Sequence, residues 1–287
     1  MTRQRIEHAT TYLYRRPVAF GRHRLVLRPR EGHDLHVESM SLQIFPAHRL
    51  VWARDVYSNS VAIVDFTEPA DRLEVHSKVI VRRSLPFPPQ EPHEPWSIAW
   101  PVTYDDREGP VTAAYGTLSY SADGSIVKRW LAEYSAVTAT DDAETLLLNL
   151  CHHVHAKIGY QRREARGVQG PAETLRLQSG SCRDMAVLLI DAARVLGLAA
   201  RFVSGYLDCP AAEAGRAAMH AWAEIYLPVL GWRGYDPTIG ELASLKHIPV
   251  GVSQHPRGVM PITGNFHGDS NDYIDMTAPV KVERMEG

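Results

Sequence analysis

A long, almost entirely apolar segment near the middle of the chain limits the possible folds more than any other feature. It spans residues 182–196, and its few polar positions are Arg183, Asp184, Asp191 and Arg194. Ser181 can cap a helix here with Asp184 three positions on, and Gly197 can end it in a left-handed turn. The sequence therefore predicts a helix over 182–196 that is buried on most of its sides.

Cys182 occupies the first turn of this predicted helix. Backbone N–H groups without helical partners and the helix dipole favour an anion at such a position, and thiols there generally have lowered pKa values. The same N–H groups can donate hydrogen bonds to an oxyanion. Cys182 is therefore a candidate nucleophile. The alternative is a buried structural cysteine, the commonest fate of this residue type.

Two predicted strands after the helix carry possible partners for a thiolate. Apolar residues alternate strictly over 219–227, which predicts a strand that holds His220. A second predicted strand, 232–236, ends at Asp236, just before a proline. If a loop with an odd number of residues joins them as a hairpin, both side chains lie on one face of the sheet. If position 220 pairs directly with position 236, the loop is centred on Pro228, and we predict an odd-numbered loop or an equivalent bulge.

These residues follow one another in an order that suits nucleophilic catalysis. His220 comes 38 residues after Cys182, and Asp236 comes 16 residues after His220. Cys182 would act as the nucleophile, His220 as the base and later the acid, and Asp236 would orient the imidazole. Gln178 and Tyr160 are candidates for a second oxyanion donor. Gln178 could instead face solvent from a loop, and Tyr160 could be a packed ring.

The first 83 residues differ in character from the rest. Their apolar residues recur with a period of two in four or more runs, which predicts an all-β sandwich over 1–83. Five prolines within 84–95 indicate a stiff linker. We therefore expect a second, catalytic domain over 96–287, with strands near its C-terminus. Whether the sandwich recruits substrate or shields the core stays open at this point.

Charge and hydropathy exclude several function classes. The net charge of −2 does not favour nucleic-acid binding, because proteins that neutralise phosphate backbones are usually much more basic. The longest apolar run near mid-chain, 185–190, is far shorter than the roughly 20 residues of a membrane helix. The N-terminus shows no apolar leader stretch. We expect no nucleic-acid partner, no membrane partner and a cytoplasmic location.

The cysteine count supports a reducing compartment. An odd number of cysteines without an export signal argues for free thiols, at Cys151, Cys182 and Cys209. Cys151 lies on the apolar face of a predicted helix and is expected to pack in the core. His152 and His155 are spaced for metal chelation, but no neighbouring ligand completes the set. We expect neither a metal nor a cofactor, with a Cys/His metal site as a rival hypothesis.

Three blocks of the sequence resemble a known family. The run SGSCRDMAVLLIDAARVLGLAARFVSGYL, followed by HAWAEIYLPVLGWRGYDPT, resembles the transglutaminase-like superfamily, and more narrowly the bacterial members classed as candidate cysteine proteases. The N-terminal stretches IEHATTYLY and LRPRE resemble the N-terminal β domain of that group. Residues 251–264 depart from it, because many relatives carry an Arg-Asp-Tyr stretch there.

The resemblance implies both a fold and a reaction. The expected fold is α+β, with the N-terminal sandwich followed by a papain-like core whose cysteine helix packs on an antiparallel sheet. The implied triad is Cys182, His220 and Asp236. We expect an acyl-transfer enzyme that acts on peptide or glutamine-type amides through a thioester, and that hydrolyses them rather than transferring them to an amine. The alternative is a non-catalytic interaction module that retains the fold.

Overall fold

The computed structural model describes most of the chain, in the ranges 2–84, 97–134, 140–163, 167–208 and 219–285. The prolines of the predicted linker and Cys209 lie outside these ranges. The domain boundaries predicted around 84–95 therefore stay a prediction. Within the described ranges, every helix is too short or too polar to cross a lipid bilayer.

The N-terminal region forms two facing antiparallel sheets. Its strands are β1 (Thr2–Phe20), β2 (His23–Leu25), β3 (Leu35–Phe45), β4 (His48–Arg54), β5 (Ser60–Phe66) and β6 (Ala70–Arg83). One sheet contains β1, β6 and β3, and the other contains β2, β5 and β4. Side chains from both sheets meet in one apolar core, as the period-two patterning requires. The predicted sandwich is confirmed.

The following elements form the α+β core. Its helices are α1 (Gly109–Gly116), α2 (Gly124–Glu133), α3 (Ala143–Lys157), α4 (Pro171–Leu177) and α5 (Cys182–Val195). Its strands are β7 (Gly159–Tyr160), β8 (Ser179–Gly180), β9 (Ala200–Leu207), β10 (Met219–Leu227), β11 (Gly231–Asp236), β12 (Glu241–Leu242) and β13 (His247–Ser253). Short 3-10 helices span Ser121–Asp123, Pro256–Val259 and Ser270–Asp272.

Helix α5 is the centre of this core. The antiparallel sheet has the order β12-β11-β10-β9-β13, and α5 packs against β10 and β9. Nearly every residue of α5 is buried, and α3 covers another of its sides. The helix ends one residue earlier than predicted, at Val195. The expected arrangement, a buried cysteine helix on an antiparallel sheet, is confirmed.

The C-terminal strands join the N-terminal sheets rather than the sheet of the core. They are β14 (Ile262–Thr263), β15 (Phe266–His267), β16 (Tyr273–Thr277) and β17 (Val280–Met285). Strands β15, β16 and β17 all pair with β1, and β14 pairs with β2. The two ends of the described chain therefore meet in one sheet.

Buried hydrogen bonds connect the sandwich to the core. The amide side chain of Asn59, in the β4–β5 turn, donates to the carbonyl of Val252 and accepts from its N–H, at 2.8 and 2.9 Å. On β1, the Nδ1 atom of His8 lies 3.1 Å from the hydroxyl of Tyr206 on β9. Because both contacts are shielded from water, they fix β9 and β13 against the N-terminal sheets.

Candidate active site

The start of α5 is held by a buried carboxylate. Asp184 is fully buried and accepts hydrogen bonds from the N–H and the hydroxyl of Ser181, at 2.9 and 2.8 Å. The Asp184 carboxylate also accepts from the Arg163 guanidinium at 3.0 Å and from the Gln169 N–H at 2.7 Å. This capping box fixes the first turn, in which Cys182 is the first helical residue, with 9% of its surface exposed.

The β10–β11 hairpin has the predicted odd-numbered loop, in a register two residues away from direct pairing of positions 220 and 236. Leu227 pairs with Gly231, so residues 228–230 form a loop with an odd number of residues, as expected. Direct pairing of position 220 with 236, which would centre the loop on Pro228, is not observed, because the register is shifted by two residues. The reason lies in the loop, where Val229 and Gly231 both adopt positive φ and close the turn around Val229.

A shift by two residues preserves the face of the sheet on which each side chain lies. His220 and Asp236 therefore share a face and meet as diagonal neighbours. The Nε2 atom of His220 lies 2.7 Å from Oδ2 of Asp236, and the two residues are 4% and 0% exposed. The Trp222 ring lies at 6.3 Å from the His220 ring, nearly parallel to it, and is itself buried in the sheet.

The Cys182 sulfur lies close enough to the imidazole of His220 to raise its pKa. Burial by itself lowers the pKa of His220, but the Asp236 carboxylate and the Cys182 sulfur together outweigh burial and raise that pKa to about 10. Burial raises the pKa of Asp236, but His220 and a second histidine, His247, hold it below its usual range. The structure thus brings the three predicted residues together, with the imidazole between sulfur and carboxylate.

Sequence patterns did not single out His247, which also hydrogen-bonds to the carboxylate of Asp236. Its Nε2 atom lies 3.0 Å from Oδ2 of Asp236, the oxygen that also contacts His220. The other oxygen, Oδ1, accepts from the N–H of Thr238 at 2.9 Å. The signal that could have indicated His247 is the alternation of Ile248, Val250 and Val252, which predicts a strand with the histidine at its start.

His220, Asp236 and His247 place possible metal-ligating atoms within 4.8 Å of one another, and they are the only such group in the described part of the chain. Their hydrogen bonds do not suit a metal. The N–H of Ser244 donates to Nδ1 of His247, so the ring hydrogen must be on Nε2, the atom that faces Asp236. A protonated nitrogen cannot ligate a metal, and this group is a hydrogen-bonded cluster.

The remaining candidates occupy different environments. Cys151 packs in the core as predicted, and burial raises the pKa of its thiol. Gln178 is exposed at the end of α4, where its carbonyl accepts from Gly159. Tyr160 is half-buried in β7 and pairs with Gly180, directly before the cap of α5. An oxyanion role for Gln178 or Tyr160 stays a prediction.

Comparisons with known proteins match this architecture. Residues 4–82 match the model of the bacterial transglutaminase-like N-terminal region, and residues 130–237 match that of the transglutaminase-like superfamily. An uncharacterized protein of Mycobacterium tuberculosis is 30% identical over 303 residues, which cover 97% of this chain and 92% of the relative. The chain belongs to the transglutaminase-like superfamily.

More distant relatives extend over the same length. An uncharacterized protein of Mycobacterium leprae is 24% identical over 284 residues, with 98% of this chain and 99% of the relative covered. The crystal structure of a candidate cysteine protease from Cytophaga hutchinsonii superposes with a TM-score of 0.73 at 16% identity, and covers 100% of this chain and 91% of that one. This likeness shows that the two proteins share one fold over their length, including the N-terminal sheets.

Proposed function

We propose that this transglutaminase-like protein is a cysteine-dependent acyl-transfer enzyme that cleaves peptide or glutamine-type amide bonds through a thioester on Cys182. The observation that carries the proposal is the position of the His220 ring, whose Nε2 atom lies 2.7 Å from Asp236 and which is close enough to the Cys182 sulfur for the sulfur to raise the pKa of the ring. An imidazole held this way stays cationic, and a neighbouring cation favours the thiolate, which is the nucleophilic form of cysteine.

The proposed reaction begins with attack of the Cys182 sulfur on the amide carbonyl carbon. The carbonyl electron pair moves to oxygen, where N–H groups at the start of α5 can stabilise the charge. The Nδ1–H of His220 then protonates the leaving nitrogen, the C–N bond breaks, and an amine departs from the thioester. In the second half, the now neutral His220 takes a proton from water, whose oxygen attacks the thioester and expels the thiolate.

Asp236 does not exchange a proton in this scheme. Its carboxylate accepts from Nε2 of His220 at 2.7 Å, which leaves Nδ1 of the same ring for the thiol and the leaving group. We assign hydrolysis rather than amine transfer because water is always available to the thioester. We also place the enzyme in the cytoplasm, since Cys151 and Cys182 are both free thiols.

Iodoacetamide labelling at a series of pH values, with mass spectrometry to locate the modified residue, tests the activated pair. We expect Cys182 to be labelled well below pH 8, and we expect His220→Ala to abolish this labelling or shift it to higher pH. Cys151 is a control within the same chain, because its buried thiol should stay unlabelled. Labelling of Cys182 only near pH 8.5, with no dependence on His220, would contradict the proposal and favour an interaction module.

A second assay separates the two reactions. Peptide amides and glutamine-containing peptides are incubated with the enzyme, with and without a labelled primary amine. We expect the wild type to form carboxylate products in both cases. The Cys182→Ala variant should form none. Incorporation of the labelled amine in preference to hydrolysis would instead assign the enzyme as a transferase.

A further inference from the structure

His247 is a buried histidine that contacts the proposed catalytic carboxylate from outside the triad. It lies at the start of β13 and is 1% exposed. Its Nε2 atom is 3.0 Å from Oδ2 of Asp236, and Nε2 of His220 is 2.7 Å from that same oxygen. One carboxylate oxygen therefore accepts hydrogen bonds from two imidazole rings.

The tautomer of His247 follows from its second nitrogen. Nδ1 accepts the N–H of Ser244 at 3.0 Å, so the hydrogen of the neutral ring is on Nε2 and is donated to Asp236. The charged groups that face the ring are Asp236 on β11, His220 on β10 and Arg83 on β6. Burial lowers the pKa of His247 and, together with His220 and Arg83, outweighs Asp236, so the ring is neutral at pH 7.

Arg83 connects this histidine to the N-terminal sheet. It is the last residue of β6, its side chain is buried, and its guanidinium donates to the backbone carbonyl of His247. The same guanidinium pairs with the carboxylate of Asp34 at 2.6 Å. The backbone of His247 is therefore held by a residue that is 164 positions away in the sequence.

We propose that His247 is a positioning residue for the triad, and that Arg83 of the N-terminal sheet holds it in place. This inference rests on the proposed function. The Nε2–H of His247 keeps Asp236 ionised and fixes the direction of Oδ2 toward His220. The N-terminal sheet thereby becomes part of the support of the active site, which gives this region a role in catalysis without any contact with substrate.

The pH profile of Cys182 labelling tests this role in the full chain. We expect His247→Leu to move the acid limb of the profile upward by about one pH unit and to slow labelling at pH 6 by roughly 10-fold, because Oδ2 of Asp236 is no longer held toward His220 and stabilises the charge of the imidazole less well. His247→Gln should restore most of the rate. The amide N–H of glutamine can donate to Asp236, and its oxygen can accept from Ser244.

Matched controls separate this effect from a general loss of stability. His8→Leu also removes a buried, hydrogen-bonded histidine and should lower the melting temperature without moving the profile. Arg83→Met should move the acid limb in the same direction as His247→Leu, with a roughly 3-fold slower rate. Arg82→Met changes the neighbouring residue, which pairs with Glu38 on the exposed side of the strand, and should have no effect.

A measurement on the unmodified protein provides an independent test. Nitrogen-15 NMR of the imidazole rings should find His247 as the neutral Nε2–H tautomer. A charged ring, an Nδ1–H tautomer, or a His247→Leu profile that overlaps the wild-type profile while His220→Ala abolishes labelling would overturn the inference. If wild-type labelling does not depend on His220, the proposed function fails, while the tautomer still decides whether His247 holds Asp236.

Discussion

His220 and Asp236 approach to 2.7 Å between Nε2 and Oδ2, although they do not face each other across the β10–β11 hairpin. The contact is diagonal, so it depends on the length of the imidazole and on a rigid sheet. His247 reaches the same oxygen from β13, at the opposite edge of the sheet. The site is therefore assembled from the neighbouring strands β10 and β11 and from β13, which β9 separates from β10, and several of its properties can be measured.

The pKa of His220 should respond to its two partners in a defined order. Asp236 raises this pKa more than Cys182 does, so Asp236→Asn should lower it from about 10 by more than Cys182→Ala. NMR titration of the imidazole resonances measures both shifts. His8, whose pKa burial lowers to about 4, is a control that should not change. Equal shifts in the two variants would contradict this order.

The stability of the protein should depend on pH through the same pair. The pKa of His220 rises from 6.5 to about 10 on folding, so its stabilising contribution is complete below pH 6.5 and is lost as the pH rises toward 10. The pKa of Asp236 falls from 3.8 on folding, so its contribution is complete above pH 3.8 and is lost in stronger acid. The pair stabilises most between these limits.

Melting temperatures of the wild type and His220→Gln, measured from pH 4 to pH 10, test this dependence. We expect the advantage of the wild type to be greatest near pH 5 to 6 and to shrink steadily above pH 6.5. A difference that stays constant across the range would show that His220 has the same charge in the folded and unfolded states.

The buried carboxylate of Asp184 should be important for stability. Asp184→Asn places an amide N–H against donors from Ser181, Arg163 and Gln169, so we expect a loss of about 3 kcal/mol in the free energy of unfolding. Urea denaturation measures this loss. Glu173→Gln, in an exposed ion pair with Arg176 on α4, is the control and should change little. A similar loss in both variants would contradict the special role of Asp184.

Close packing requires a glycine opposite His220. Gly205 on β9 pairs with His220, and a Cβ atom there would overlap the Ile248 carbonyl oxygen and the Trp222 ring. Gly205→Ala should therefore cost about 1–3 kcal/mol of stability and slow the labelling of Cys182. Urea denaturation and labelling kinetics measure the two effects. Gly116→Ala, where a Cβ meets no atom within 4 Å, should leave both unchanged.

Local patterns in the sequence were sufficient to predict α5 and the strands β10 and β11, and to bring forward Cys182, His220 and Asp236 as candidates. Ser181 and Asp184 indicate where α5 begins, because capping is a property of residues three positions apart. The alternation of apolar residues over 219–227 predicts the face of the sheet on which His220 lies, whichever strand pairs with this one. Successive side chains in any strand point to opposite faces. The triad residues Cys182 and Asp236 followed from the same local signals.

The register and the supporting contacts were decided by the tertiary structure. Positive φ at Val229 and Gly231 moved the hairpin by two residues, and alternation cannot detect a shift of that size because it repeats every two residues. Strands β16 and β17 pair with β1 from the far end of the chain. Such pairing depends on the packing of both sheets, which no local pattern records.

The sequence by itself therefore determined that an all-β region precedes an α+β region. It also determined where α5 begins and which side of the sheet carries His220 and Asp236. Only the tertiary structure decided that His247 contacts the Asp236 carboxylate and that Arg83 contacts the backbone carbonyl of His247. The physical reason is distance along the chain. A hydrogen bond between residues 164 positions apart has no periodicity to reveal it, and it forms only when two separately folded sheets are brought into contact.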